Sequence, residues 1–419
     1  METNANSRFV DYTMATPMHP TRVSYTSHHC WSWVVTETVN KRSSEAVKVP
    51  RWRELPSVTS EEVAAVKASG VSPYALFRVE EEVQNGCGTE IDGVWCTSTV
   101  FEAFDAKDAL YMRTPAGVMP DTLLLPCDAT SSHPPGTDRL IDAFLSKHGG
   151  RVLLKAALGS GGNGIYFVSS SADVLAVLRG HAAAANEVDG FHEKLRAQYE
   201  GRVPLWSLQE RLQPVLVGGG RKSQVRMYCV FLERARLCYL YRDAEVRLPQ
   251  WNDGEETFVA DKCMEEYEVR VCGGGGAVPY NRGRIKRDTE RLLLSECPEL
   301  KGAEPSLRDC MVKTMTGLMP HILQTADTLE APKPGRERVA ILGADLVVVR
   351  AATGEFSARL LEVNNNPAMA QPEKHRMSIC YRAHLVAFVE ALLELGFAAG
   401  AGSGAGSPVT HARFDRVDL

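Results

Sequence analysis

The sequence has no apolar run that approaches the roughly 20 residues a membrane-spanning helix needs, no pair of cysteines at CxxC spacing, and no large excess of either charge. The first absence predicts no membrane partner. The second removes the zinc-ribbon and dithiol-redox classes, since the 11 cysteines are odd in number and scattered along the chain. Lys+Arg 47 against Asp+Glu 52 gives a formal charge of -5, which excludes nucleic-acid binding driven by charge over the whole surface and leaves only local basic patches. Residues 1–20 lack the basic start and continuous apolar stretch of a secretory signal. With the cysteine usage, this predicts a reducing, cytoplasmic location. His28-His29-Cys30 offers soft metal ligands, but three adjacent side chains do not readily turn onto one ion, so the segment is read as a loop.

What is present is the composition of a globular protein, with 419 residues, 44% hydrophobic and 24% charged, enough for two or three domains at roughly 150 residues each. Residues 1–60 show no sustained helical period. Ser60-Glu61-Glu62 then supplies an N-cap and first-turn acids for a short helix stopping at Gly70. A proline-glycine turn leads into an apolar strand ending near Leu125, and residues 138–148 read as a helix closed by Gly149-Gly150. Two short strands, residues 151–155 and 165–168, flank a loop with glycines at 159, 161, 162 and 164, and a helix follows at 171–179. A further strand closes at residues 207–214. Gly218-Gly219-Gly220 turns into an alternating strand at 224–232, with its hairpin partner at 238–241. Helical spacing is expected over residues 288–328, including Leu292, Leu293 and Leu294. Strands follow at 340–349 and 359–363, and a last helix covers 382–395 and ends at Gly396. The Gly/Ala/Ser-rich stretch 398–407 reads as flexible.

Three constellations carry chemistry. Asp345 lies in one expected strand, while Glu362 and Asn364 are two apart in another and therefore share a face. Together they offer hard oxygen ligands of the kind that hold Mg²⁺ against phosphates. Lys155 is surrounded by Val152, Leu153, Leu154, Ala156, Ala157 and Leu158, an apolar setting that is costly for an ammonium unless an anion meets it. Gly161 and Gly162, in the loop that follows, leave backbone N–H groups open to phosphate oxygens. The loop is not a P-loop or a dinucleotide fingerprint, because a strand rather than a helix follows the glycines. Lys222, Gln224 and Arg226 are expected to share one strand face, with Arg242 and Arg247 on the hairpin partner, a set of cations able to clamp polyphosphate and carboxylate. An edge protected by positive charge would read similarly.

The order of these pieces resembles the ATP-grasp superfamily and, within it, the tubulin-tyrosine ligase-like family, over residues 119–395. Carrying the resemblance are Met119-Pro120-Asp121-Thr122, Gln209-Glu210-Arg211-Leu212, Pro214-Val215-Leu216-Val217, Arg221-Lys222-Ser223-Gln224-Val225-Arg226, Tyr239-Leu240-Tyr241-Arg242 with Val246-Arg247, Gly343-Ala344-Asp345 and Leu360-Leu361-Glu362-Val363-Asn364-Asn365-Asn366-Pro367. It implies an α/β (α+β) ATP-grasp fold, with the nucleotide between two mixed or antiparallel sheets and an N-terminal α/β domain. The implied division is residues 1–118, a central subdomain at 119–210, a C-terminal subdomain at 211–397 and a flexible tail at 398–419.

The resemblance also implies roles. Gln209, Glu210, Arg211 and Leu212 would receive adenine, while Lys155, Lys222 and Arg226 hold phosphates beside Gln224. Asp345, Glu362 and Asn364 would bind Mg²⁺, and Arg247 would lie near the acyl phosphate and acceptor. The implied reaction is ATP-dependent: a protein or peptide carboxylate is phosphorylated, an amino acid's amine attacks the acyl phosphate, and an amide forms. A tubulin tail is one such acceptor. An acidic tail would suit the basic cluster Arg282, Arg284, Lys286 and Arg287, although an ordinary solvated helix start reads the same way. The chain departs from the family in having Ser223-Gln224 where Phe-Asp is usual, Ala156 after the lysine where Pro is usual, and no His-Leu-Thr-Asn segment after the arginine hairpin. Three alternatives stand beside the ligase of protein carboxylates: a ligase of small peptides or metabolites, a small-molecule kinase, and a nucleotide-binding interaction protein that has lost catalysis.

Overall fold

The computed structural model describes residues 99–126, 135–157, 165–184, 205–249, 289–329, 336–369 and 376–401, apart from residues 105, 352, 366 and 368. It also describes short strands at 24–26, 47–48, 74–77, 93–97 and 278–279, and the segment 411–417. The expected helix after Ser60, the glycine loop with Gly161 and Gly162, the His28-His29-Cys30 loop and the basic cluster 282–287 lie outside these residues.

Four short strands come first, β1 (Ser24–Thr26), β2 (Val47–Lys48), β3 (Tyr74–Phe77) and β4 (Gly93–Thr97), paired in parallel in the order β2-β1-β3-β4. Next come β5 (Thr122–Pro126), β6 (Val152–Lys155), β7 (Ile165–Val168) and β8 (Leu205–Glu210), with helices Thr137–Lys147 and Ser171–Ala184 between them. A small hairpin of β9 (Leu216–Val217) and β10 (Arg221–Lys222) precedes the long hairpin of β11 (Gln224–Leu232) and β12 (Leu237–Pro249). The remaining strands are β13 (Val278–Pro279), β14 (Thr289–Leu293), β15 (Arg336–Arg350), β16 (Phe356–Asn365), β17 (Arg376–Met377) and β18 (Phe414–Val417), with helices Glu304–Thr328 and Ile379–Ala401 among them.

These strands make two principal sheets. The smaller has the order β13-β7-β6-β8-β5 and is antiparallel throughout. The larger has the order β17-β14-β12-β11-β15-β4-β3-β1-β2, with β16 on β15 and β18 on β12. Its centre is antiparallel, and β4 joins β15 in parallel. The architecture is therefore mixed α+β.

Both faces of the large sheet's centre are covered, which explains why β11 is a nearly unbroken apolar run. Val225, Met227, Cys229 and Phe231 point to the Glu304–Thr328 helix, whose Leu307, Met311, Met315, Leu318 and Ile322 form the facing stripe at three- and four-residue spacing. On the other face, Tyr228, Val230 and Leu232 pack against Tyr381, Leu385, Phe388 and Leu392 of the Ile379–Ala401 helix. The small sheet buries Val152, Leu154, Trp206 and Leu208 against its own two helices. The two sheets meet through Leu153 and Ile165 on one side and Val347 and Leu361 on the other.

Four expectations need correction. Residues 289–293 form a strand, because β12 offers Glu245 to Pro249 as ladder partners and that pairing overrides the local helical spacing. Two 3-10 turns follow at Leu294–Glu296 and Pro298–Leu300, and the α-helix begins only at Glu304, where Pro305 occupies an early position suited to it. The last helix runs through Gly396 to Ala401, since Leu395 and Ala399 continue its buried stripe. Residues 398–419 are not simply a tail: 398–401 belong to that helix, and 414–417 return as β18, with Phe414 and Val417 buried on β12. Finally, Lys222 belongs to β10, so it does not share a strand with Gln224 and Arg226.

Candidate functional site

The period-two alternation of β11, β12, β15 and β16 sends one set of residues to the Glu304–Thr328 helix and the other to the opposite face, which the Ile379–Ala401 helix covers over part of its length and which meets the small sheet at Val347 and Leu361. Register then fixes who meets whom. Asp345 pairs with Glu362 on one side and Arg226 on the other, and Arg226 pairs in turn with Glu245. One step along, Gln224 pairs with Arg247 and Arg247 with Arg291. Neighbouring strands lie about 4.8 Å apart, so these residues form a continuous polar array.

Side chains knit the array together. Arg226 donates from Nε to Asp345 Oδ1 at 2.5 Å and from Nη2 to Oδ2 at 2.7 Å, a bidentate pair with almost no exposure. Arg247 donates from Nε to Glu245 Oε1 at 2.6 Å, and its Nη1 lies 3.6 Å from Asp345 Oδ1. Arg291 Nη1 reaches the same Glu245 oxygen at 2.5 Å, and Tyr228 donates to Glu245 Oε2 at 3.0 Å. Burial opposes ionisation of Glu245, but Arg247, Arg291 and Arg226 outweigh it and hold its carboxyl well below the usual carboxylate range. Burial, and then the Glu245 charge, push the Tyr228 phenol up. Asn364 donates from Nδ2 to Asp345 Oδ2 at 3.2 Å and to Glu362 Oε1 at 3.4 Å, so the three expected metal ligands come together through the amide nitrogen. Among the described residues no group of three or more His, Cys, Asp or Glu could hold a metal ion. The candidate set is two carboxylates completed by an amide.

Lys155, Ser207 and Gln209 lie on the same face of the small sheet as Leu153, the face that meets the large sheet. Lys155 donates to Gln209 Oε1 at 2.8 Å, and Gln209 donates to Thr122 Oγ1 at 3.0 Å. Both Lys155 and Gln209 are buried. Glu210 is tied to Asp121 through its backbone N–H at 2.8 Å, the Arg211 guanidinium lies 5.0 Å from the centre of the Phe167 ring, and Leu212 packs where the two sheets meet. This segment is the connection leaving the small sheet. Lys222 is buried on β10 opposite Leu216, beside the array rather than within its β11 face.

Glu245, Arg291, Tyr228 and Thr122 were not among the candidates drawn from the sequence. Glu245 could have been found, since it stands two residues before Arg247 on the same strand face. Arg291 was hidden by the adjacent leucines, which suggested a helix.

No protein-family model matches the sequence, and no curated protein is significantly similar to it. Among the described residues no helix is long and apolar enough to cross a membrane.

Proposed function

We propose that the protein is an ATP-dependent carboxylate-amine ligase of the tubulin-tyrosine ligase-like kind, adding an amino acid to a protein or peptide carboxylate. The observation that carries this reading is that the Asp345-Glu362-Asn364 oxygen cluster and the Arg226 and Arg247 guanidiniums share one face of the large sheet, while Lys155 and Gln209 lie on the small-sheet face whose Leu153 packs against Val347 and Leu361 of that sheet. Two carboxylate groups within reach of one amide are a donor set suited to a hard divalent cation whose remaining ligands are phosphate oxygens. Asp345, Glu362 and Asn364 would hold Mg²⁺, which when bound would neutralise charge on the nucleotide phosphates.

The chain's own residues do the rest. The segment from Gln209 to Leu212 would receive the adenine. Lys155, Lys222 and Arg226 would bind and orient phosphates, and Gln224 would line their pocket. Arg247 would position the carboxylate under attack and stabilise charge developing at its oxygens. Terminal phosphate transfers to that carboxylate and ADP leaves. The amine then attacks the acyl carbon, phosphate departs and the amine's proton is released. Placement of the two reactants contributes much of the acceleration, and no protein nucleophile is required.

A nucleotide-binding protein without turnover is the second reading, favoured by the bidentate hold of Arg226 on Asp345 and by Gln224 in place of an acid. ADP release from Mg-ATP decides between them, using wild type and Glu362→Gln with amino acids offered alongside tubulin tails or short acidic peptides. Release that requires both an amine and a carboxylate, and falls at least a hundredfold in the variant, supports the ligase. Tight Mg-ATP binding without release supports the second reading. Failure to bind nucleotide overturns both.

A further inference from the structure

The hairpin of β11 and β12 carries two cysteines on the face opposite to its arginines. Cys229 and Cys238 are free thiols, and both are fully buried with Met227, Phe231 and Leu240 beneath the Glu304–Thr328 helix. Their sulfurs lie 3.2 Å apart, close enough for one thiol to donate to the other. Two further buried cysteines are satisfied differently, the Cys297 thiol donating to the Leu293 carbonyl and the Cys310 thiol to that of Val118. A buried thiol is a small apolar group with a weak donor, and one carbonyl suffices for it. Packing alone therefore does not call for two thiols in contact.

The ladder explains how they meet. Cys229 stands opposite Leu240 and Cys238 opposite Phe231, so the two cysteines are diagonal neighbours. Such a diagonal is ordinarily wider than a direct pair. Here the register shifts between Met227 and Cys229, where Tyr241 to Asp243 of β12 pass opposite Tyr228 alone, and an irregularity of this kind raises the local twist and draws one diagonal in. A disulfide has its sulfurs about 2.05 Å apart, so roughly 1 Å of sulfur movement closes the bond. The contact with Cys229, and then burial, push the Cys238 thiol well up. Thiolate is the attacking species, so the closed hairpin is protected and reaction waits on its opening.

We propose that Cys229 and Cys238 are a disulfide-forming modification site, a redox lock on the hairpin that also carries Arg226, Glu245 and Arg247. The oxidant is a small-molecule disulfide of the glutathione type. When the hairpin opens, one cysteine attacks a sulfur of that disulfide as its thiolate, the S–S bond breaks and one small thiol leaves with the proton. The other cysteine then attacks the protein sulfur of the mixed disulfide, and the second small thiol leaves with the second proton. One S–S bond is broken and one is made, with the cysteine pair oxidised by two electrons and the small disulfide reduced by two. Reclosure buries the new bond beneath the helix and joins β11 to β12 between the irregular stretch and the turn at 233–236. The site uses no nucleotide and stands independently of the ligase reading.

Peptide mapping of the wild-type chain tests this directly. Trypsin cuts after Arg234 and Arg236, in the turn between the cysteines, so peptides 227–234 and 237–242 separate unless a disulfide joins them. The full chain is incubated with oxidised glutathione, or with dithiothreitol as control, its remaining thiols are capped with N-ethylmaleimide in urea, and the digest is read by mass spectrometry. The oxidised sample is expected to give the two peptides as one species, two hydrogens lighter than their sum, and the control to give each peptide capped. Closing a loop of this size should also lower the unfolding equilibrium constant about ten- to a hundredfold, read as a higher urea midpoint. Dithiothreitol added to the unfolded chain should reverse both changes. Cys229→Ala should remove the joined species and the shift in midpoint. Cys238→Ala should do the same and serves if the first variant does not fold. Peptides recovered separately capped after oxidation, or Cys229 joined only to glutathione or to another cysteine, overturn the site. A joined species without a higher midpoint, or a shift that survives in a folded variant, overturns the lock.

Discussion

Asp345 and Glu337 are two acids on one strand, β15, and both are completely buried. Asp345 is gripped by the Arg226 fork with Arg247 behind it. Glu337 accepts from the Arg234 backbone N–H at 2.8 Å, and its Oε2 meets no donor among the described residues. Its neighbour Glu233 is itself paired with Arg338. Burial, with Glu233 adding to it, therefore pushes the Glu337 carboxyl up to about 7. Residue type and burial are alike in the two places, so the difference comes from whether a guanidinium reaches the carboxylate. A charged group in a core is tolerable where a partner is fixed in place and shifts towards neutrality where it is not.

The most severe way to break the comparison is to remove the acid from the paired site. Asp345→Ala leaves the Arg226 guanidinium buried without its main counter-charge, and such a change costs about 3–5 kcal/mol. Urea unfolding should show it, and on the proposed ligase reading ADP release should be lost as well. Stability within about 1 kcal/mol of wild type would mean that the pair is not formed in solution.

At the unpaired site the effect is smaller and has the opposite sign. Glu337 is neutral in the folded state over a range where the unfolded chain, with its ordinary value of 4.5, is already ionised. The folded state then binds more protons, so stability falls as pH rises from about 4.5 to about 7 and levels off above. Glu337→Gln should remove that decline and raise stability at pH 8 by about 3 kcal/mol, with little change at pH 4. The amide oxygen can still accept from Arg234. Equal urea midpoints for the two proteins at pH 8 would show that Glu337 has found a cation.

The contrast between these acids also marks how much could be read from sequence. The strands, the short loops and the shared face of Glu362 and Asn364 follow from period-two alternation, a local property. Asp345 stood out because charged residues are costly amid apolar neighbours. By the same reasoning Glu337 could have been noticed, but with Arg336 and Arg338 on either side it looks like an ordinary charged strand start. What determines its state is the turn after β11, over a hundred positions earlier, and no local pattern reports that. Arg291 was missed for a related reason. Its strand exists because β12 offers ladder partners, whereas the leucines beside it favour a helix locally. The Phe414–Val417 strand likewise depends on an edge of β12 that a glycine-rich preceding stretch gives no hint of.

The mildest change sharpens the comparison by disturbing the middle of β15 beside Asp345. Gly343 lies two residues before Asp345 and so shares its face. A methyl group there would come 2.9 Å from both Cβ and Cγ of Pro367 and 3.4 Å from Arg226 Cδ. Proline is rigid and Pro367 is buried, so it cannot simply swing aside, and Arg226 has to move off its bidentate geometry or the Pro367 turn has to lift. Gly343→Ala is therefore expected to cost about 1–2 kcal/mol, in the range of an overpacked core, and, on the proposed ligase reading, to reduce Mg-ATP turnover beyond what that loss of stability explains. Because Glu337 lies six residues away near the start of the strand, the decline of stability between pH 4.5 and 7 should persist unchanged in the variant. A variant that alters that decline would show the middle and the start of β15 to be coupled, and the paired and unpaired acids would then have to be treated as one system.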